Sequence, residues 1–244
     1  GILPYQKVAV SLDRTPELVV SQLAILKVGA IYVPIDPAYP AARKKYMVED
    51  SEASAYISSS NGTDDIGRIK ATTIYVDKQN FEKYSTKNLK LNFEARGVDI
   101  IYTSGSTGNP KGIQQTHKAR LNRFHWMWEK YPFSSDDVCC QKTPISFGDS
   151  IWETLGPLLK GVTLVIFSED TVKDPTLFIN GLNRHKVTRI VVVPSLLQAM
   201  VDLGSSKQLS LNALKICIVS GEACPVILTK KFLNFCPQSL LINI

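Results

Sequence analysis

Short runs of β-branched and aromatic residues recur along the chain, at 8–11, 31–34, 55–58, 73–76, 100–103, 163–167, 189–193 and 216–219, and predict strands. Several are followed by segments with helical spacing. Thr15 stands as a cap, Pro16 at the first helical position and Glu17 in the first turn, and Gly29 supplies the stop. Val19, Val20, Leu23, Ala24 and Leu26 are the expected inward face of that helix. Further helices are predicted over 41–50, 118–128, 150–159, 176–185, 195–203 and 226–234. Strand and helix in alternation build an α/β fold, a layered and mostly parallel sheet flanked by helices, with ligands beyond the carboxyl ends of the strands. The polar stretches 61–67 and 78–90 read as loops, and the second suggests subdomains of roughly 1–95 and 96–244.

Composition narrows this only a little. With 44% apolar and 20% charged residues, the 244-residue chain has enough apolar material for a sizeable core. Its net charge of +6 is scattered and favours an anionic ligand no more than a solvated surface. Lys27 interrupts the longest apolar candidate, so no membrane partner is expected, and a soluble, cytoplasmic protein is the reading. Cys139, Cys140, Cys217, Cys224 and Cys236 form an odd set without CxxC spacing, which points to buried reduced thiols and to no metal site. The apolar run 240–244 looks like a strand broken off mid-course, and the expectation is a piece of a longer protein.

The chemistry concentrates in Thr103-Ser104-Gly105-Ser106-Thr107-Gly108-Asn109-Pro110-Lys111-Gly112, read as lying between a strand and a helix. A surface turn needs no more than these residue types. A phosphate cradle also fits, because glycines let several N–H groups converge on one anion, hydroxyls add donors, and Lys111 adds a point charge. The Walker pattern fails, since Pro110 precedes the lysine and Gly112 follows it.

Tyr102 through Gly112 resembles the signature of the adenylate-forming superfamily, which includes acyl-CoA synthetases and nonribosomal peptide synthetase adenylation domains. The stretch from Leu26 to Pro40, with Arg43 beyond it, resembles a second motif of the peptide-synthetase branch, as do the His117 and Asn122 spacing and Ser220-Gly221-Glu222-Ala223. The resemblance implies the main part of a large N-terminal adenylation domain, with the C-terminal lid domain and further motifs beyond Ile244. It implies a carboxylate attacking the α-phosphorus of ATP with Mg2+, and transfer of the acyl group to a phosphopantetheine thiol on a carrier domain of the same parent chain. On this reading Thr103, Ser104, Gly105, Ser106, Thr107, Gly108 and Lys111 hold the nucleotide phosphates. With the later motifs missing, the 244 residues alone are not expected to form adenylate efficiently, and no catalytic residue is assigned within them.

Ser146-Phe147-Gly148-Asp149-Ser150-Ile151-Trp152-Glu153 resembles the segment in which an aspartate directly after phenylalanine pairs with the α-ammonium of the substrate. Here that position is Gly148 and the acid follows as Asp149. A β-amino acid carries its ammonium one methylene farther from the reacting carboxylate, so the displacements can compensate, and the pattern resembles Ebony-type β-alanine-activating enzymes. An α-amino acid or aminoadipate activator, or a binding module without turnover, is the alternative. Asp149 as the cap of a helix starting at Ser150 is the competing structural role. Trp152 reads as pocket wall or plain core, and Ser220 and Gly221 as pocket floor. Val191 and Ile218 read as buried strand residues that only motif position connects to the pocket, and Glu153 as a structural partner. His117 either holds the nucleotide loop as a neutral imidazole or caps a helix, while His125 and His185 have no constellation around them. Trp126 and Trp128 beside Arg120 and Arg123 lack the basic stripe of a nucleic-acid surface, so no nucleic-acid partner is expected.

Overall fold

The fold follows the alternation read from the sequence, with an antiparallel exception at one edge. The computed structural model describes residues 1–60, 66–89, 94, 96–104, 109–207 and 209–244. They form two units, Gly1–Glu129 and Lys130–Ile244.

The first unit contains β1 (Lys7–Val10), α1 (Pro16–Lys27), β2 (Ile31–Pro34), α2 (Ala41–Asp50), β3 (Ala55–Ser58), β4 (Thr72–Tyr75), a 3-10 turn at Val76–Lys78, β5 (Gly97–Thr103) and β6 (Lys111–Thr116). Its sheet runs β4-β3-β1-β2-β5-β6. All pairs are parallel except β5 with β6. Because β5 pairs with β2, the polar loop near residue 95 does not part the units; the division falls near the end of α3 (His117–Lys130).

In α1 the structure corrects the expected face. Leu18, Val19, Ser21, Gln22 and Ile25 are buried, whereas Val20 and Leu23 are 60% and 39% exposed. Apolar residues surround this helix, so periodicity could not choose a side. Its stop is as expected. Gly29 has φ 75°, its N–H donates to the Leu26 carbonyl at 3.0 Å, and Ala30 N–H reaches back to Ile25 at 3.0 Å. That pair of bonds satisfies carbonyls the helix leaves open, in a backbone shape glycine adopts without strain.

The second unit contains β7 (Val138–Gln141), α4 (Gly148–Leu158), β8 (Thr163–Ile166), α5 (Glu169–Lys173), α6 (Pro175–Arg184), β9 (Arg189–Val192), α7 (Pro194–Lys207), β10 (Ile216–Val219), α8 (Val226–Phe235) and β11 (Leu240–Asn243). Its five strands are all parallel, in the order β11-β10-β9-β7-β8. Cys140, Ile190, Val192, Cys217 and Val219 share a core with Phe178, Leu182, Leu197, Met200, Leu228 and Phe232 of α6, α7 and α8. Side chains alternate along a strand, so Cys139, Val191 and Ile218 face the opposite side, where they are also buried. Helix α4 packs on β7 and β8, and none of its residues joins the α6–α8 core. Burial on both faces is what a parallel sheet requires. No helix among the described residues is long and apolar enough to cross a membrane.

Candidate functional site

The stretch read as a phosphate cradle joins two strands of a hairpin, which corrects the reading of strand directly into helix. Strand β5 leads in and β6 leads out, and α3 begins only at His117. Thr103 is the register partner of Lys111, and Tyr102 that of Gly112. Thr103, Ser104 and Lys111 are exposed at this mouth. Gly105, Ser106, Thr107 and Gly108 lie outside the described residues. Two hydroxyls and an ammonium offer donors and positive charge, a set that suits phosphate oxygens. No group of three His, Cys, Asp or Glu side chains among the described residues forms a metal cage. A Mg2+ ion characteristically arrives with triphosphate oxygens and one or two carboxylates, so the donor set here fits the phosphates and not a dedicated metal site.

Below the mouth, Arg120 of α3 grips Asp99 of β5 through two hydrogen bonds, 2.8 Å to Oδ2 and 2.7 Å to Oδ1. Asp99 is buried, so this paired charge ties α3 to the sheet. Thr116 Oγ1 accepts from Ala119 N–H at 3.1 Å, giving the helix cap to Thr116 instead of His117. Burial lowers the His117 pKa against the pull of Asp99, which keeps the imidazole neutral at pH 7. Arg123 lies over the Trp126 ring at 4.7 Å. Trp128 meets Phe124 at 5.8 Å and His125 at 5.3 Å, both on its own helix.

In the second unit, α4 starts two residues earlier than expected. Phe147 is its cap residue and makes no side-chain cap bond; Asp149 lies in the first turn. The capping role for Asp149 is therefore lost. Ser150 Oγ, at the next position, donates toward the Phe147 carbonyl at 2.7 Å and the Ile145 carbonyl at 3.1 Å. Asp149 is half-buried and makes no hydrogen bond or ion pair among the described residues. The positive end of the helix dipole favours an acidic residue in this first turn.

Glu153, one turn on, has the opposite environment. It is 3% exposed and accepts from Lys142 N–H at 3.0 Å, Thr143 N–H at 2.8 Å and Thr143 Oγ1 at 2.8 Å. Lys142 Nζ adds an ion pair at 3.4 Å. Every oxygen is committed, as a structural partner requires. Trp152 stacks on Phe133 with ring centroids 6.2 Å apart and planes 13° apart. The ring also closes over Gly156, where a Cβ would come within 2.6 Å of it. Both contacts are packing contacts.

Ser220 follows β10, and its N–H donates to the Val192 carbonyl at 3.0 Å. Gly221 turns the chain with φ +91°. The sequence reading missed the residue that fastens this turn. Asn243, at the end of β11, donates to the carbonyls of Val219 at 3.1 Å and Glu222 at 3.2 Å, and accepts from Cys224 N–H at 2.9 Å. An Asn ending an apolar run gives no local sign of that role. Asp149 and the Ser220–Gly221 turn thus both follow the carboxyl ends of sheet strands, where open parallel sheets bind ligands.

Four buried cysteines are poorly suited to act as nucleophiles. Burial pushes the Cys139 thiol up to about 12 and the Cys236 thiol up to about 11, and raises Cys140 and Cys217 further. All five are free of disulfides.

The sequence model of the AMP-binding enzyme family matches residues 1–244. The chain belongs to that family. Among AMP-binding relatives it is similar to tyrocidine synthase 3 of Brevibacillus parabrevis, 36% identical over 249 residues, spanning 100% of this chain and 4% of the relative. It is 33% identical over 242 residues to the beta-alanyl-bioamine nonribosomal peptide synthetase ebony of Drosophila melanogaster, spanning 93% of this chain and 27% of that protein. The crystal structure of the nonribosomal peptide synthetase FmoA3 in an AMPPNP-bound form superposes with a TM-score of 0.90 at 24% identity, covering 100% of this chain and 26% of that one. At that identity the last likeness concerns the fold. The chain spans a small part of the length of these relatives.

Proposed function

We propose that this chain carries the triphosphate hairpin and the acid pocket of an amino-acid-activating enzyme that selects a β-amino acid such as β-alanine. A carboxylate oxygen of the substrate attacks the α-phosphorus of ATP, the bond to the bridging oxygen breaks, and pyrophosphate leaves. The thiol of a phosphopantetheine arm on a carrier domain then attacks the acyl carbon of the adenylate, a thioester bond forms, the bond to the phosphate oxygen breaks, and AMP leaves. Positioning two anions and neutralising the departing pyrophosphate are the main demands of the first step. Lys111 and the hydroxyls of Thr103 and Ser104 serve the β- and γ-phosphates, and Mg2+ enters with the nucleotide.

The observation that carries the substrate assignment is Asp149, an acid without a partner among the described residues, in the first turn of α4 and one position beyond the phenylalanine-adjacent site. Its carboxylate is available to a substrate ammonium, and the one-residue displacement suits an ammonium one methylene farther out. Ser220 and Gly221 contribute the floor, and Trp152 a wall. The name of the ebony relative supports the β-alanyl reading, and the other peptide-synthetase names support amino-acid activation in general.

The test is exchange of labelled pyrophosphate into ATP by the protein at full length, across β- and α-amino acids. Exchange with β-alanine above all α-amino acids is expected. Exchange confined to α-amino acids overturns the substrate assignment, and exchange with neither class overturns amino-acid activation.

A further inference from the structure

Tyr46, Met47 and Asp50 of α2 converge on the base of the hairpin, 52 to 64 positions in sequence from the residues they meet there. Tyr102, the last buried residue of β5, donates through its hydroxyl to Asp50 Oδ2 at 2.7 Å, with the Met47 carbonyl at 3.3 Å. Tyr46, one helical turn before Asp50 on α2, has its hydroxyl 3.2 Å from Asp50 Oδ1 and 3.4 Å from the carbonyl of Pro110. One carboxylate therefore joins the strand entering the hairpin connection, and its tyrosine neighbour reaches the residue leaving it. Across the ladder, the Tyr102 ring lies against Gly112, where a Cβ would stand 3.0 Å from Cζ. Glycine at that place lets the ring pass over β6 and reach α2.

Asp50 stands at an electrostatically unfavourable place. It closes α2, where the helix dipole is negative, and no basic residue stands in that last turn. Nor does the fold need it to satisfy the buried tyrosine, because the Met47 carbonyl is within reach. Burial and the Asp50 charge raise the Tyr102 pKa, so both hydroxyls remain protonated donors at neutral pH.

We propose that Asp50, with Tyr46 and Tyr102, is a positioning device that fixes the hairpin mouth so that Thr103 and Lys111 meet the nucleotide phosphates together. The proposal rests on the phosphate reading of that mouth. It assigns to α2 a part in nucleotide selectivity without any contact between α2 and nucleotide.

The test measures KM for ATP, KM for the amino acid, kcat for pyrophosphate exchange and thermal stability in the full-length protein, for Asp50→Asn, Asp50→Ala, Tyr102→Phe and Lys111→Ala. Loss of one such hydrogen bond is expected to raise KM for ATP about fivefold in Asp50→Ala and Tyr102→Phe, with less effect in Asp50→Asn, which keeps an acceptor oxygen. KM for the amino acid stays within about twofold. Wild-type ATP parameters in Asp50→Ala and Tyr102→Phe, with a raised KM for ATP in Lys111→Ala, overturn the positioning role and leave the phosphate reading standing. Unchanged ATP parameters in Lys111→Ala overturn the phosphate reading and the positioning role with it. Equal changes in both KM values together with a lowered melting temperature mark a purely structural cluster and overturn the proposal.

Discussion

The two ends of the second sheet treat polar residues in opposite ways. At the amino ends of β7, β9 and β10, Asp137, Thr188, Arg189 and Lys215 form a network around one buried carboxylate. Asp137 is buried and meets Arg189 at 2.6 Å, the Thr188 hydroxyl at 2.9 Å, Ser134 N–H at 2.9 Å and Lys215 at 3.4 Å. Arg189 also donates to the carbonyls of Tyr131 and Pro132, and it lies over the Phe133 ring at 4.5 Å. Beyond the carboxyl ends, Asp149 has no protein partner among the described residues, and the Ser220–Gly221 turn is held by backbone bonds and Asn243. A saturated charge holds the fold together; an unsaturated one is available to a ligand.

That contrast can be broken by substitution. The largest effect is expected at Asp137→Ala, which leaves a mostly buried guanidinium without its counter-charge and should cost about 3 kcal/mol or more of unfolding free energy in a denaturant titration. A loss below about 1 kcal/mol contradicts the network account. Glu153→Ala follows at about 3 kcal/mol, because two backbone N–H groups, a hydroxyl and a buried ammonium lose their acceptor. Gly221→Ala should cost about 1 kcal/mol; space is available for a methyl group, and the left-handed backbone angle alone carries the penalty. Asp149→Ala, four residues from Glu153 on the same helix, should change stability by no more than about 0.5 kcal/mol. A larger loss would return Asp149 to a structural role.

The amino-end network also responds to acid. Burial raises the Asp137 pKa, but Ser134, Thr188 and Arg189 outweigh it and hold the group below the ordinary carboxylate value of 3.8. Its stabilisation is therefore present above that value and lost as pH falls through the lower folded-state pKa. Asp137→Asn should flatten the acid limb of stability against pH, and an unchanged limb would assign acid unfolding elsewhere. For His117 the folded-state pKa is lowered, so its smaller contribution is full above the ordinary value of 6.5 and declines as pH drops below it.

Much of this architecture was legible where local chemistry agrees with burial. Residues 31–34, 55–58 and 216–219 became strands with the boundaries read from their sequence, as β-branched runs flanked by turn residues. Strand β6 was missed because Lys111, Gly112, Gln114 and Gln115 show no apolar alternation on an exposed edge. Strand β7 was missed because two cysteines and a glutamine carry little strand propensity despite complete burial. The chemistry of the hairpin could be read from contiguous residues. Its base could not, since Tyr46 and Asp50 reach it only through the packing of α2. Asp149 was visible as a candidate, but its relation to the helix was not, because the helix begins at Gly148 without a polar cap.

The central claim is that Asp149 receives a substrate ammonium. It is tested most directly by pyrophosphate exchange with β-alanine in the full-length protein and its Asp149→Asn variant. A charge-assisted hydrogen bond contributes about 1.5–3 kcal/mol, so kcat/KM for β-alanine should fall about 10- to 150-fold while thermal stability stays at the wild-type value. An Asp149→Asn enzyme that exchanges as fast as wild type with β-alanine would contradict the account.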